Sequence, residues 1–152
     1  MFRGSSSLSL DAKGRMAIPA RYRDALQRAG GGTLVVTIAY RGHCLWLYAL
    51  PEWEQIERKL IKLSDLSDTT YHLKHALLAP AHECEPDANS RILLPAPLRE
   101  AVGIERQVQL IGMGNKFEVW HQAAWDRRFQ EHIEKARNGG LEIPEELANL
   151  SL

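Results

Sequence analysis

The chain has little that would mark a secreted scaffold, a membrane protein or a basic nucleic-acid coat. It holds 2 cysteines in 152 residues, Cys44 and Cys84, too few for a disulfide framework, and both are expected to be reduced. No run approaches the ~20 apolar residues that a membrane helix needs. Met1-Phe2-Arg3-Gly4-Ser5-Ser6-Ser7 lacks the apolar core and cleavage pattern of a signal peptide, so a cytoplasmic protein is expected. Gly-rich phosphate loops, nucleophile elbows and zinc-protease motifs are missing, which argues against an enzyme, a cofactor or a small-molecule substrate. Net charge is missing too. The balance of 19 Lys+Arg against 19 Asp+Glu disfavours indiscriminate nucleic-acid binding, which draws on a basic surface.

What is present is ordinary core material, 45% apolar and 25% charged, arranged as an internal repeat. Leu10-Asp11-Ala12-Lys13-Gly14-Arg15-Met16-Ala17-Ile18-Pro19-Ala20-Arg21-Tyr22-Arg23 returns as Pro86-Asp87-Ala88-Asn89-Ser90-Arg91-Ile92-Leu93-Leu94-Pro95-Ala96-Pro97-Leu98-Arg99. The copies share Asp-Ala-x-x-Arg, an apolar run, Pro-Ala and a later Arg. Each is followed by strand-like apolar runs and a tryptophan, Trp53 in one half and Trp125 in the other. Asp11 and Arg15 flank a turn-prone Lys13-Gly14, where glycine tolerates positive φ. A carboxylate so placed can aim a guanidinium, whose planar fork suits phosphate oxygens or a guanine edge, and Lys13 adds a point charge. Asn89-Ser90 in the second copy drops that charge.

Charge is distributed unevenly. Residues 1 to 30 carry Arg3, Lys13, Arg15, Arg21, Arg23 and Arg28 against Asp11 and Asp24, whereas the stretch from Glu83 to Arg106 is acidic. If one repeat dominates phosphate contact, it is the first. Periodicity predicts strands at Ser5 to Leu10, Met16 to Ile18, Leu34 to Ile38 and Leu45 to Tyr48, with a helix from Pro19 that Gly30-Gly31-Gly32 stops. Helices follow from Pro51, with Trp53, Ile56, Leu60 and Leu63 on one face, and over Tyr71 to Ala79. The second half predicts a strand at Arg91 to Leu94, a short helix at Pro97 to Val102, strands at Val108 to Ile111 and Phe117 to Trp120, and a helix with Trp125, Phe129 and Ile133.

Met1-Phe2-Arg3-Gly4, the two Asp-x-x-x-Arg motifs, Pro51-Glu52-Trp53-Glu54 and Asn115-Lys116-Phe117-Glu118-Val119-Trp120 together make the chain resemble the MraZ family of bacterial transcriptional regulators, essentially end to end. The resemblance implies an α+β fold of two duplicated AbrB-like swapped-hairpin β-barrel units with flanking helices and a pseudo-two-fold. On that basis the chain would run as a first repeat over 1–54, a helical connector over 55–80, a second repeat over 81–126, and a C-terminal helix and acidic tail over 127–152. It further implies sequence-specific binding to repeated promoter boxes, repression of its own operon in the division and cell-wall gene cluster, nucleoid association and ring-like homo-oligomers.

The candidate DNA-contacting residues are Arg15, Lys13, Arg91 and Arg3, with Asp11, Gly14 and Asp87 orienting or structural in the loops. Arg21 and Arg23 read as a solvated helix face. A rival reading makes the duplicated loops a protein-interaction module. A weaker one is a thiol enzyme using Cys84 with His82, which would share a face if the segment is a strand. His43-Cys44 and His82-x-Cys84 lack Cys-x-x-Cys spacing and occupy non-equivalent places in the repeats, so no metal site is expected.

Overall fold

Exposed and half-buried positions alternate through Ser5–Ser9, which forms strand β1, and the chain returns after the Asp11 turn as β2, Arg15–Ala17. The computed structural model describes residues 1–140 and 142–150. Helix α1, Ala20–Gly30, starts after Pro19, whose extended ψ of 138° makes it the N-cap rather than a first-turn residue. It stops where Gly31 turns left-handed at φ 70° and donates its N–H to Gln27 O. Strands β3 (Leu34–Ile38) and β4 (Leu45–Ala49) follow, then α2 (Leu50–Ile61) and α3 (Asp68–Leu78). The second half supplies β5 (His82–Cys84), β6 (Arg91–Leu93), α4 (Ala96–Ala101), β7 (Gln107–Gly112) and β8 (Phe117–His121).

Three further elements differ from the sequence-based expectation. Helix α3 begins at Asp68, ahead of Tyr71, because an acidic residue in the first turn suits the helix dipole. Leu63 lies beyond the end of α2 and is exposed, so the buried stripe of that helix consists of Trp53 and Leu60. Strand β5, only three residues long, carries no periodicity from which it could be read.

The architecture is α+β with antiparallel pairing. A six-stranded sheet runs β1-β7-β8-β4-β3-β5, and β2 pairs with β6 in a separate two-stranded ribbon. Each pairing exchanges with another when the repeats are superposed in register. Leu8 faces Val108 as Cys84 faces Leu34, and Leu45 faces Val119 as Phe117 faces Leu47. Met16 lies opposite Ile92 at the centre of the ribbon. The first strand of each half therefore completes its ladder on the third strand of the other half.

One apolar core takes the inward residues of these strands, among them Met16, Ile92, Leu34, Leu47, Val108 and Val119, all fully buried. On the outer face of β3 and β4, Val35 and Tyr48 pack with Trp53 and Leu60 of α2 and Leu77 of α3. The buried Thr37 hydroxyl donates to Leu77 O at 2.7 Å, which ties α3 to β3. Asn115 Nδ2 donates to Glu52 Oε1 at 3.2 Å, and the Glu118 carboxylate accepts the indole N–H groups of Trp46 and Trp120, each at 3.1 Å. Two sequence-distant segments of the resemblance thus meet in space.

By contacts the chain divides into two units, Met1–Gln122 and the segment from Ala123 onward. In the second, the Trp125 and Phe129 rings of α5 (Gln122–Arg137) lie 5.7 Å apart, and α5 buries none of its residues. A 3-10 turn, Glu145–Leu147, lies in the acidic tail, whose positions 141, 151 and 152 are outside the described residues. Among the described residues, no helix is long and apolar enough to cross a membrane.

Because Ile92 is fully buried at the centre of the ribbon, Ile92→Ala should lower stability in urea by about 2–5 kcal/mol. Ala17→Ser, on the exposed side of the same ribbon, should stay within about 0.5 kcal/mol of wild type.

Candidate functional site

The two repeated loops fold alike because an aspartate closes each as an Asx turn. Asp11 Oδ1 accepts the backbone N–H of Lys13 at 3.0 Å and of Arg15 at 2.9 Å, and its Oδ2 accepts Arg15 Nε at 2.6 Å. Asp87 repeats the pattern with the backbone of Asn89 and Arg91 and with Arg91 Nε at 2.9 Å. The hairpin turns need a left-handed residue before each arginine: Gly14 has φ 85° and Ser90 has φ 58°. A Cβ at Gly14 would also come within 2.6 Å of the Arg99 guanidinium carbon.

The loops meet. Arg15 Nη1 lies 3.8 Å from Asp87 Oδ2, and Arg91 Nη1 lies 3.6 Å from Asp11 Oδ2. The four side chains form one crossed cluster, each about one-third exposed. Backbone N–H donation from Arg15, opposed by partial desolvation and aided by the Arg15 side chain and the Lys13 N–H, pulls the Asp11 carboxyl down to about 2. Asp87 is lowered too, chiefly by the Arg91 N–H. Ion pairs open to solvent add little to stability. Their larger effect is to fix where the guanidinium forks point.

The β2–β6 ribbon turns Met16 and Ile92 inward and Arg15, Ala17, Arg91 and Leu93 outward. Arg15 faces Leu93 and Arg91 faces Ala17, so the two arginines are diagonal neighbours on one face. The charges of the cluster cancel, and exposed Lys13 beside them tips the patch positive.

Of the sequence candidates, Arg15, Lys13, Arg91, Asp11, Gly14 and Asp87 are brought together. Arg3 is not: it lies before the far end of β1, with its backbone carbonyl accepting the Tyr22 hydroxyl at 2.5 Å. Arg23 is more than a solvated face, since its Nε donates to Ile18 O at 2.8 Å, as Arg99 Nε donates to Leu94 O at 2.9 Å. Both arginines brace the ribbon from behind, and their recurrence after Pro-Ala was the available signal. Leu93, 52% exposed on the ribbon, had none.

Cys84 does not form a reactive pair with His82. Its thiol is in the core and burial pushes it up to about 11, whereas His82 is exposed. Cys44 is buried as well. Among the described residues, no three His, Cys, Asp or Glu side chains are grouped to hold a metal.

Fold and site define an α+β protein that displays a charged two-stranded ribbon from a shared core. The family model described as "MraZ protein, putative antitoxin-like" matches residues 1–74 and 77–139. Proteins named transcriptional regulator MraZ from Halorhodospira halophila and Shewanella oneidensis are each 49% identical to the chain, and one from Shewanella baltica is 47% identical, all over 100% of both sequences. The chain belongs to the MraZ family. That family is one of transcriptional regulators and not of enzymes.

The left-handed positions predict opposite outcomes in the two loops. Ser90→Gly should raise stability by about 1 kcal/mol, and Gly14→Ser should lower it by at least as much, measured by urea unfolding. A second check is pH. Asp11 ionises below its ordinary 3.8, so its contribution is complete above that value and is lost as pH falls toward about 2. A carboxyl-carbon NMR titration should place the Asp11 midpoint near about 2; a midpoint at 3.8 would contradict the geometry.

Proposed function

We propose that the chain is a sequence-specific DNA-binding transcriptional regulator that reads double-stranded promoter DNA with the β2–β6 ribbon. The observation that carries this reading is the crossed cluster, which aims Arg15 and Arg91 outward from one face. The major groove of B-DNA admits a two-stranded ribbon, and an arginine fork matches the O6 and N7 acceptors of guanine. Lys13 would add a phosphate contact. Asp11 and Asp87 would serve indirectly, since carboxylates repel phosphates. Arg3, apart from the cluster, would reach only flanking backbone.

The finer parts of the reading rest on family resemblance and on the strand exchange. They are a duplicated swapped-hairpin, AbrB-like fold with repeats at 1–54 and 81–126, a ring-like homo-oligomer, and repression of the chain's own operon in the division and cell-wall cluster from the nucleoid. Oligomerisation has a physical reason. One ribbon makes few phosphate contacts, so its binding is weak and salt-sensitive, and several copies on repeated boxes raise the effective concentration.

Fluorescence anisotropy with DNA from upstream of the chain's own gene and a scrambled duplex tests the reading. Wild type should bind the first selectively, and Arg15→Ala should weaken that binding roughly 5- to 150-fold while the protein stays folded and oligomeric. Absence of selective binding at any salt would favour a protein partner for the loops instead.

A further inference from the structure

The two halves of the ribbon match in backbone and differ in two of the side chains they present. The antiparallel register groups them. At one end Arg15 faces Leu93, with Lys13 in the adjoining loop; at the other Arg91 faces Ala17, with Asn89 in the equivalent loop place. Lys13, Ala17, Asn89 and Leu93 are all exposed. Leu93 is also, among the described residues, the one exposed large apolar side chain within a strand.

We infer that one chain docks on its DNA box in a single orientation, with Lys13, Arg15 and Leu93 on one half of the box and Asn89, Arg91 and Ala17 on the other. This inference rests on the DNA-binding reading. The two ends offer different chemistry to the groove. Lysine gives a point charge to phosphate or a guanine edge, whereas asparagine is neutral and pairs in bidentate fashion with adenine N6 and N7. Leucine presents apolar surface to a thymine methyl, and alanine presents much less. Turning the chain end for end puts Asn89 where Lys13 belongs and Ala17 where Leu93 belongs, and the reversed complex is weaker by about tenfold. A pseudo-symmetric backbone thus reads a non-palindromic box, and copies of the chain on repeated boxes all point the same way.

Directed cleavage tests this. An iron–EDTA reagent is tethered to Ala12→Cys or to Ala88→Cys, both exposed loop positions. Cys44 and Cys84 are buried, so wild type treated in parallel gives the background. On the duplex from upstream of the chain's own gene, each label should cut one end of each protected box, and the two labels opposite ends. In the background Lys13→Asn/Leu93→Ala, which makes both halves Asn-Arg-Ala, each label should cut both ends.

Replacing thymines by uracil one at a time should weaken wild-type binding about fourfold at one position of a box, the worth of one buried methyl, and leave Leu93→Ala unaffected. Selective protection with both labels cutting both ends in the otherwise wild-type chain would overturn the polarity and leave DNA binding standing. Absence of any selective protection would overturn both.

Discussion

Two carboxylates organise the functional face. Each of Asp11 and Asp87 uses one oxygen to close its own loop through backbone N–H groups and the other to hold its arginine by Nε. The second oxygen also faces the arginine of the opposite loop. Loop shape, side-chain direction and the meeting of the two halves are therefore coupled through the same four oxygens. Exposed ion pairs add little to folding energy. What they supply is preorganisation, because a guanidinium already aimed loses less freedom when it binds.

The cluster exists because of how the strands are exchanged. β1 and β5 each complete their ladder in the opposite half, and β2 and β6, one from each half, pair as a ribbon centred on Met16 and Ile92. Neither half closes its sheet alone. Burial of Met16 and Ile92 on the inner side of the ribbon sets its alternation, and that alternation places Arg15 and Arg91 outward. Arg23 and Arg99 then brace the strand ends from α1 and α4 through the Ile18 and Leu94 carbonyls. The core thus dictates which residues the outer face can show.

Much of this was legible in the sequence. The Asp-x-x-x-Arg spacing around Lys13-Gly14 predicted the turn, the positive φ of Gly14 and the hydrogen bond that the arginine donates to the aspartate, since all three follow from local geometry. The β3 and β4 runs and the Trp53 face of α2 were equally plain, because periodicity reports local burial. The crossed contacts were not, because they depend on which half each strand pairs with, and no local pattern encodes a partner. Arg23 is exposed on α1 as expected, but its hydrogen bond to Ile18 O was not legible for the same reason, since that acceptor belongs to the chain before the helix. Strand β5 was missed because its ladder to β3, rather than its own three residues, makes it a strand.

Under the proposed DNA-binding reading, the direction of the arginines, more than their charge, makes the ribbon selective. The most direct test is the ratio of affinities for the duplex from upstream of the chain's own gene and for a scrambled duplex, measured for Asp11→Asn/Asp87→Asn. Removing two negative charges beside Arg15 and Arg91 must strengthen non-specific binding if charge alone matters. The account predicts that scrambled DNA binds more tightly while the ratio falls toward one, because the forks are no longer held. A ratio equal to or above that of wild type, in a folded variant, would contradict it.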